Sequence, residues 1–161
     1  MLGCLHAGAG AKFVTLRNRT GAARAPLIAT LDHLMALGLV VRNTGHGHPM
    51  RPEYVLTEAG RTVGEPCVAL ATLIDGLGER DLAYRKWTLP IIAAIGERRR
   101  RFRDLRLTLA VASPRALTLG LKQLRDHRWI GRTLIDEYPP SAGYHLLGAG
   151  ERVYARLGGL C

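Results

Sequence analysis

Residues 113–135, SPRALTLGLKQLRDHRWIGRTLI, change period once, and that change decides the fold. Ser113 followed by Pro114 reads as a helix start. The serine oxygen can accept from an orphan N–H of the first turn, and proline suits the first helical position, where its missing N–H costs nothing. Leu117, Leu121 and Leu124 then recur at helical spacing and predict one buried face. After them the pattern alternates: WIGRTLI (129–135) reads as a strand, DEYPPSAG (136–143) as a turn and YHLL (144–147) as the returning strand. A last helix is expected in ERVYARL (151–157).

Working outward, RKWTLPIIAAIGE (85–97) carries a helical stripe of Trp87, Leu89, Ile91, Ile92 and Ile95 that ends near Gly96. Pro90 has to sit in its first turn or it would kink the helix. RRRRFRDLRLTLA (98–110) places Phe102, Leu105 and Leu109 on one helical face. Three helices, a β-hairpin and a closing helix make a winged helix-turn-helix.

The same plan is written earlier in the chain. Leu31 and Leu121, Leu34 and Leu124, Arg42 and Arg132, Pro49 and Pro139, Tyr54 and Tyr144, and Ala59-Gly60 and Ala149-Gly150 all lie 90 residues apart. FVTLR (13–17) matches FRDLR (102–106) at a spacing of 89, so one turn differs by a residue. ARAPLIATLDHLMALG (23–38) is the matching third helix, with Leu27, Leu31 and Leu34 inward. LVVRN and EYVLT make its hairpin across TGHGHPMRP (44–52), and its first helix is confined to the short MLGCLHA. EPCVALATLIDGLGERD (65–81), with Val68, Leu70, Leu73, Ile74 and Leu77, reads as a connecting helix. The expected fold is mainly α with small β-hairpins (α+β). It comprises a winged unit over 1–64, a connecting helix over 65–84 and a second winged unit over 85–161.

At 47% hydrophobic and 22% charged residues the composition is that of a folded chain. No apolar run approaches the roughly 20 residues that span a bilayer, and the opening MLGCLHAGAG lacks a basic leader region. A cytoplasmic protein without a membrane partner is expected. Cys4, Cys67 and Cys161 are odd in number and widely spaced, which favours free thiols over a disulfide framework or a zinc site. The net charge of +10 and pI near 10.4 point to a polyanionic partner. The excess is uneven: residues 1–80 hold 8 Lys and Arg against 6 Asp and Glu, a net +2, and residues 81–161 hold 15 against 7, a net +8.

In a helix-turn-helix the exposed N-terminal residues of the third helix reach base edges in the major groove of double-stranded DNA. With the leucines inward, the second copy turns Arg115, Thr118, Leu119 and Lys122 outward. Arg115 is the leading base reader, through a paired contact to guanine. Ser113 is a phosphate candidate, although capping alone accounts for it equally well. Arg98, Arg99, Arg100 and Arg101, with Arg103, lie where the second helix begins and favour a counter-anion over mutual repulsion. The first copy shows outward Arg24, Ala25, Ile28, Ala29 and His33, with Arg24 alone suited to reading bases. Its wing offers His46, His48 and Arg51; two histidines around a glycine without a third ligand read as turn chemistry rather than a metal site. The second wing carries Asp136 and Glu137, which disfavour phosphate.

Residues 85–133, from RKWT to WIGRT, resemble the HxlR-type winged-helix transcriptional regulators. The resemblance rests on KWT opening the first helix, RRRFRDLR opening the second, and SPRALTLGLKQLRDHRWIGR running through the third into the wing. YVLTEAG in the first copy keeps the family's usual wing return, and PPSAGYHLLGAGE departs from it at LLGAG. The resemblance implies a bacterial DNA-binding regulator, commonly dimeric, with a small-molecule effector and no cofactor. The tandem form departs from the family's single domain, so the expected assembly is either a homodimer or a monomer that imitates one. An effector crevice is placed near Trp87, Leu73 and Leu77, residues that also serve as ordinary core. A rival reading is a tandem winged-helix protein that binds a drug or natural product in an apolar crevice between the repeats and reads no DNA sequence. An enzyme is not expected, because no phosphate-binding loop, nucleophile elbow, zinc-protease or dinucleotide motif occurs.

Overall fold

The computed structural model describes residues 1–6, 8, 11–43, 53–98, 100–135 and 141–158. They form two compact units, Met1–Ala71 and Thr72–Gly159.

The first unit opens with α1 (Leu2–His6), β1 (Ala11–Lys12) and α2 (Phe13–Thr20). α3 (Arg24–Ala36), β2 (Val40–Asn43) and β3 (Glu53–Leu56) follow, and α4 (Glu58–Leu77) begins after the hairpin. Leu27, Leu31 and Leu34 of α3 are buried with Leu5, Ala11, Leu16, Val40 and Leu56 in one core. The three-stranded sheet has the order β1-β3-β2, all antiparallel. β1 is absent from the sequence reading, since two residues carry no alternation that could reveal a strand. α4 starts earlier than Glu65, where the sequence suggested a helix start. Thr57 Oγ1 accepts from Gly60 N at 3.0 Å and donates to Gly38 O at 2.7 Å, so the cap lies there and Pro66 falls inside the helix.

The second unit holds α5 (Arg80–Ala83), α6 (Thr88–Gly96), α7 (Phe102–Thr108), α8 (Pro114–Asp126), β4 (Ile130–Ile135), β5 (Ser141–Leu146) and α9 (Gly148–Leu157). Pro90 lies in the first turn of α6, as its chemistry requires. Leu117, Leu121 and Leu124 are buried, as are Ile91, Ile92, Ile95, Leu105, Trp129 and Ile130. Thr88 is the buried polar residue of this core, and its hydroxyl donates to Leu82 O at 2.7 Å, which satisfies it. β5 begins at Ser141, within the stretch expected as turn, because Ser141, Ala142 and Gly143 pair with Ile135, Leu134 and Thr133.

The duplication is geometric as well as textual. Val40 faces Leu56 and Arg42 faces Tyr54 in one hairpin; Ile130 faces Leu146 and Arg132 faces Tyr144 in the other. Leu39 O accepts from Thr57 N at 3.1 Å, and Trp129 O accepts from Leu147 N at 2.9 Å. A Cβ on Gly60 would stand 1.9 Å from that Leu39 oxygen, and one on Gly150 would stand 2.1 Å from that of Trp129. This close approach of helix to wing root explains why Ala-Gly recurs at 59–60 and 149–150. Only a residue without a side chain lets the two backbones meet.

Candidate nucleic-acid interface

α8 owes its position to a cap and a stripe. Ser113 Oγ accepts from Ala116 N at 3.2 Å, Pro114 takes the first helical position, and the leucine face is sunk into the core. The opposite face is therefore forced outward. Arg115, Thr118, Leu119 and Lys122 are all exposed, in agreement with the sequence reading. Thr118 Oγ1 donates to Pro114 O at 2.8 Å, so its proton is engaged within the helix and it presents a lone pair and a methyl group. Ser113 is an exposed cap.

α3 holds the same place in the first unit without the same chemistry. Its N-cap is Ala23, with no side-chain cap bond. Arg24, Ala25, Ile28, Ala29 and His33 are exposed, and so is Asp32, which stands where α8 has Lys122.

Arg100 and Arg101, just ahead of α7, are held by their backbone. Tyr144 N donates to Arg100 O at 2.8 Å, and Arg101 bridges to Gly143 of β5. The equivalent pairings in the first unit are Ala11 with Tyr54 and Lys12 with Glu53. Arg98, Arg100, Arg101 and Arg103 are exposed, and Arg98 has a left-handed φ of 65°. Arg100 and Arg101 thus form a short edge beside β5. Arg99, Arg51, His46, His48, Asp136, Glu137 and Cys161 lie outside the described residues.

Trp87 is half-buried and lines a groove of about 170 Å³ with Arg85, Lys86, Ala116 and Leu119. Leu73 and Leu77, half-buried on α4, do not line it, so the three residues expected around an effector are not brought together there. Lys86 Nζ sits 5.2 Å from the centre of the Trp87 ring. Among the described residues no group of three or more His, Cys, Asp or Glu could hold a metal, and no helix is long and apolar enough to cross a membrane.

Sequence reading also passed over a larger groove, of about 360 Å³, at the root of the second wing. Arg125, Arg128 and Arg132 line it with Thr133, Leu134 and Leu147. Aligning the copies at their 90-residue spacing would have flagged it, because Arg128 falls opposite Gly38.

The model of the family described as HxlR-like helix-turn-helix matches twice, over residues 5–81 and 82–161. The chain belongs to the HxlR-like helix-turn-helix family. Each half of this HxlR-like chain is thus one copy of the family's unit. The chain is also similar to an uncharacterised HTH-type transcriptional regulator of Synechocystis, 28% identical over 102 residues, covering 63% of this chain and 73% of that one. Two solved structures are similar over about half of it. One is a MarR-family transcriptional regulator of Porphyromonas gingivalis W83, with 25% identity, coverage of 52% of this chain and 81% of that one, and a TM-score of 0.44. The other is the reduced form of the regulator YodB from B. subtilis, with 21% identity, coverage of 58% and 83%, and a TM-score of 0.42.

Proposed function

We propose that this HxlR-like chain is a DNA-binding transcriptional regulator whose second unit reads the sequence, with α8 in the major groove. The observation that carries the reading is the exposed face of α8, where Arg115, Thr118 and Lys122 stand free of the core. Arg115 sits in the first turn, the part of a recognition helix that meets base edges. Its guanidinium forms a fork matched to guanine, worth about 1–3 kcal/mol of discrimination. Ser113 and the Arg98–Arg101 edge with Arg103 take backbone phosphates and set the register. In the first unit Arg24 is the one comparable group on α3, and Arg51 extends the basic surface in sequence.

Residues 65–84 act as the connector between the units in this reading. A chain with one reading helix meets one half-site. Two chains would then place half-sites one helical turn, about 10 base pairs, apart. The protein works where the chromosome is, in the bacterial cytoplasm. The groove at Trp87, of about 170 Å³, falls below the roughly 300 Å³ at which small-molecule sites begin, so an effector there would be a small one.

The deciding experiment is binding of the purified chain to a promoter-derived and a random duplex across a salt series. Arg115→Ala and a quadruple Arg98–Arg101→Ala variant run beside it. Tight, promoter-selective binding that loses selectivity with Arg115→Ala and loses salt slope with the quadruple variant is the expected result. Weak binding, equal for both duplexes and indifferent to Arg115, would sink the regulator reading.

A further inference from the structure

We infer that Arg125, Arg128 and Arg132 form a seat for a phosphate oxyanion at the root of the second wing, and that its occupant is the DNA backbone. The inference rests on the regulator reading above and adds an anchor at the far end of α8.

Four observations converge on it. The three guanidinium-bearing residues line one open groove of about 360 Å³, and all three are exposed. None of them makes a side-chain hydrogen bond or ion pair with another described residue, so the fork donors are available. Arg128 holds a left-handed backbone with φ 59°, a conformation that disfavours an L side chain. At the matching place the first copy has Gly38, with φ 69°. The second copy thus keeps an arginine where the fold asks for glycine. Such an outlier points toward function. Finally, two of the three cations are new to this copy: the first has Met35 and Gly38 opposite Arg125 and Arg128, and shares only the arginine of the strand, Arg42 opposite Arg132.

Charge near the carbonyl end of a helix is the obvious objection, because that end repels anions with about half a unit charge. Here the last carbonyls of α8 are taken up by His127 N, Arg128 N and Trp129 N. Three full positive charges then outweigh the residual dipole. Complementing that dipole would account for Arg125 alone. It does not account for Arg132, which is on β4, or for the strained Arg128. Location fits a backbone contact: the first turn of α8 meets bases, which leaves its last turn and the following strand beside the flanking phosphates. Leu134 and Leu147 supply apolar walls suited to the sugar.

The test uses the full chain, with Arg125→Gln, Arg128→Gly, Arg132→Gln and the triple variant, on both duplexes across salt. A seat on DNA predicts that the triple variant binds both duplexes more weakly by the same factor. It keeps the promoter preference and loses up to about 3 in the slope of log affinity against log salt, since each phosphate contributes about 0.9. Arg128→Gly should weaken binding while keeping or raising the thermal midpoint, which separates binding from folding. An unchanged slope in a wild-type-like, Arg115-dependent binder overturns the seat and leaves the regulator reading intact. Absence of any salt-dependent binding by the wild type brings both down. If inorganic phosphate stabilises the wild type and not the triple variant, while DNA affinity is the same in both, the occupant is a free phosphorylated ligand and the DNA assignment is wrong.

Discussion

The two winged units share their frame and differ on their faces. Leu16, Leu27, Leu31, Leu34 and Val40 of the first are buried, and so are Leu105, Leu117, Leu121, Leu124 and Ile130 of the second. Hairpin register and the glycine under the wing root match as well. Outside that frame the copies part. α8 has a serine cap, Arg115 and Lys122; α3 has an alanine cap, Ala25 and Asp32. Packing tolerates little change at the shared positions, because a core at crystal-like density registers the loss or gain of one methyl group. Solvated positions carry no such constraint, so they are free to diverge in chemistry. The two units thus keep one buried frame and carry different chemistry on their exposed helix faces.

The sharpest way to break the comparison is at the shared glycines. Gly60→Ala and Gly150→Ala should each destabilise by about 3 kcal/mol, because the new methyl meets a backbone oxygen that has nowhere to go. Urea denaturation followed by circular dichroism measures both, and a silent substitution in either unit would show that the two wing roots are not equivalent.

DNA discrimination should separate the copies next. Arg115→Ala is expected to cost about 1–3 kcal/mol of promoter preference, and Arg24→Ala much less. Equal losses in competition binding would mean that both units read.

Smaller effects test the caps. Ser113→Ala should cost about 1 kcal/mol by removing the bond to Ala116 N. Leu147→Thr should add a similar amount by restoring the cap that Thr57 gives the first unit. Arg128→Gly should also stabilise, by about 1 kcal/mol, on release of its left-handed strain. Thermal midpoints of the three variants check signs as well as sizes.

The smallest expectation concerns Cys67, half-buried on α4, whose thiol is pushed above its ordinary value of 9.0 by desolvation, with a weaker opposing pull from the N-terminal charge. Its thiolate is therefore scarcer in the folded chain than in the unfolded one. Alkylation by iodoacetamide at mildly alkaline pH should be slower in native protein than in urea. The linked stability term is intact below the ordinary thiol range and is lost as pH rises through it, since the unfolded chain gives up its proton first. Equal native and unfolded rates would contradict this burial.

Much of the fold was legible because it is written in period. The leucine stripes of α3 and α8, the Ser-Pro start and the switch to alternation name helices and hairpins without reference to distant residues. Outward Arg115, Thr118 and Lys122 followed from the same stripe by exclusion. Where a partner was needed, the sequence was silent. β1 exists only because Tyr54 and Glu53 lie beside Ala11 and Lys12. The start of α4 moved to Glu58 because Thr57 found Gly38. Arg98–Arg101 read as the basic start of the second helix, and the pairing of Arg100 and Arg101 with β5 came only from the fold.

Taken by itself, the sequence determined the fold class, the duplication, the inward leucines and the basic bias of the second half. These depend on residue type and spacing along one chain. Tertiary structure alone decided that Arg125, Arg128 and Arg132 share a groove, and that Trp87 lines one with Ala116 and Leu119. Convergence of side chains from a helix, a turn and a strand is set by how the elements pack, and no local period records it.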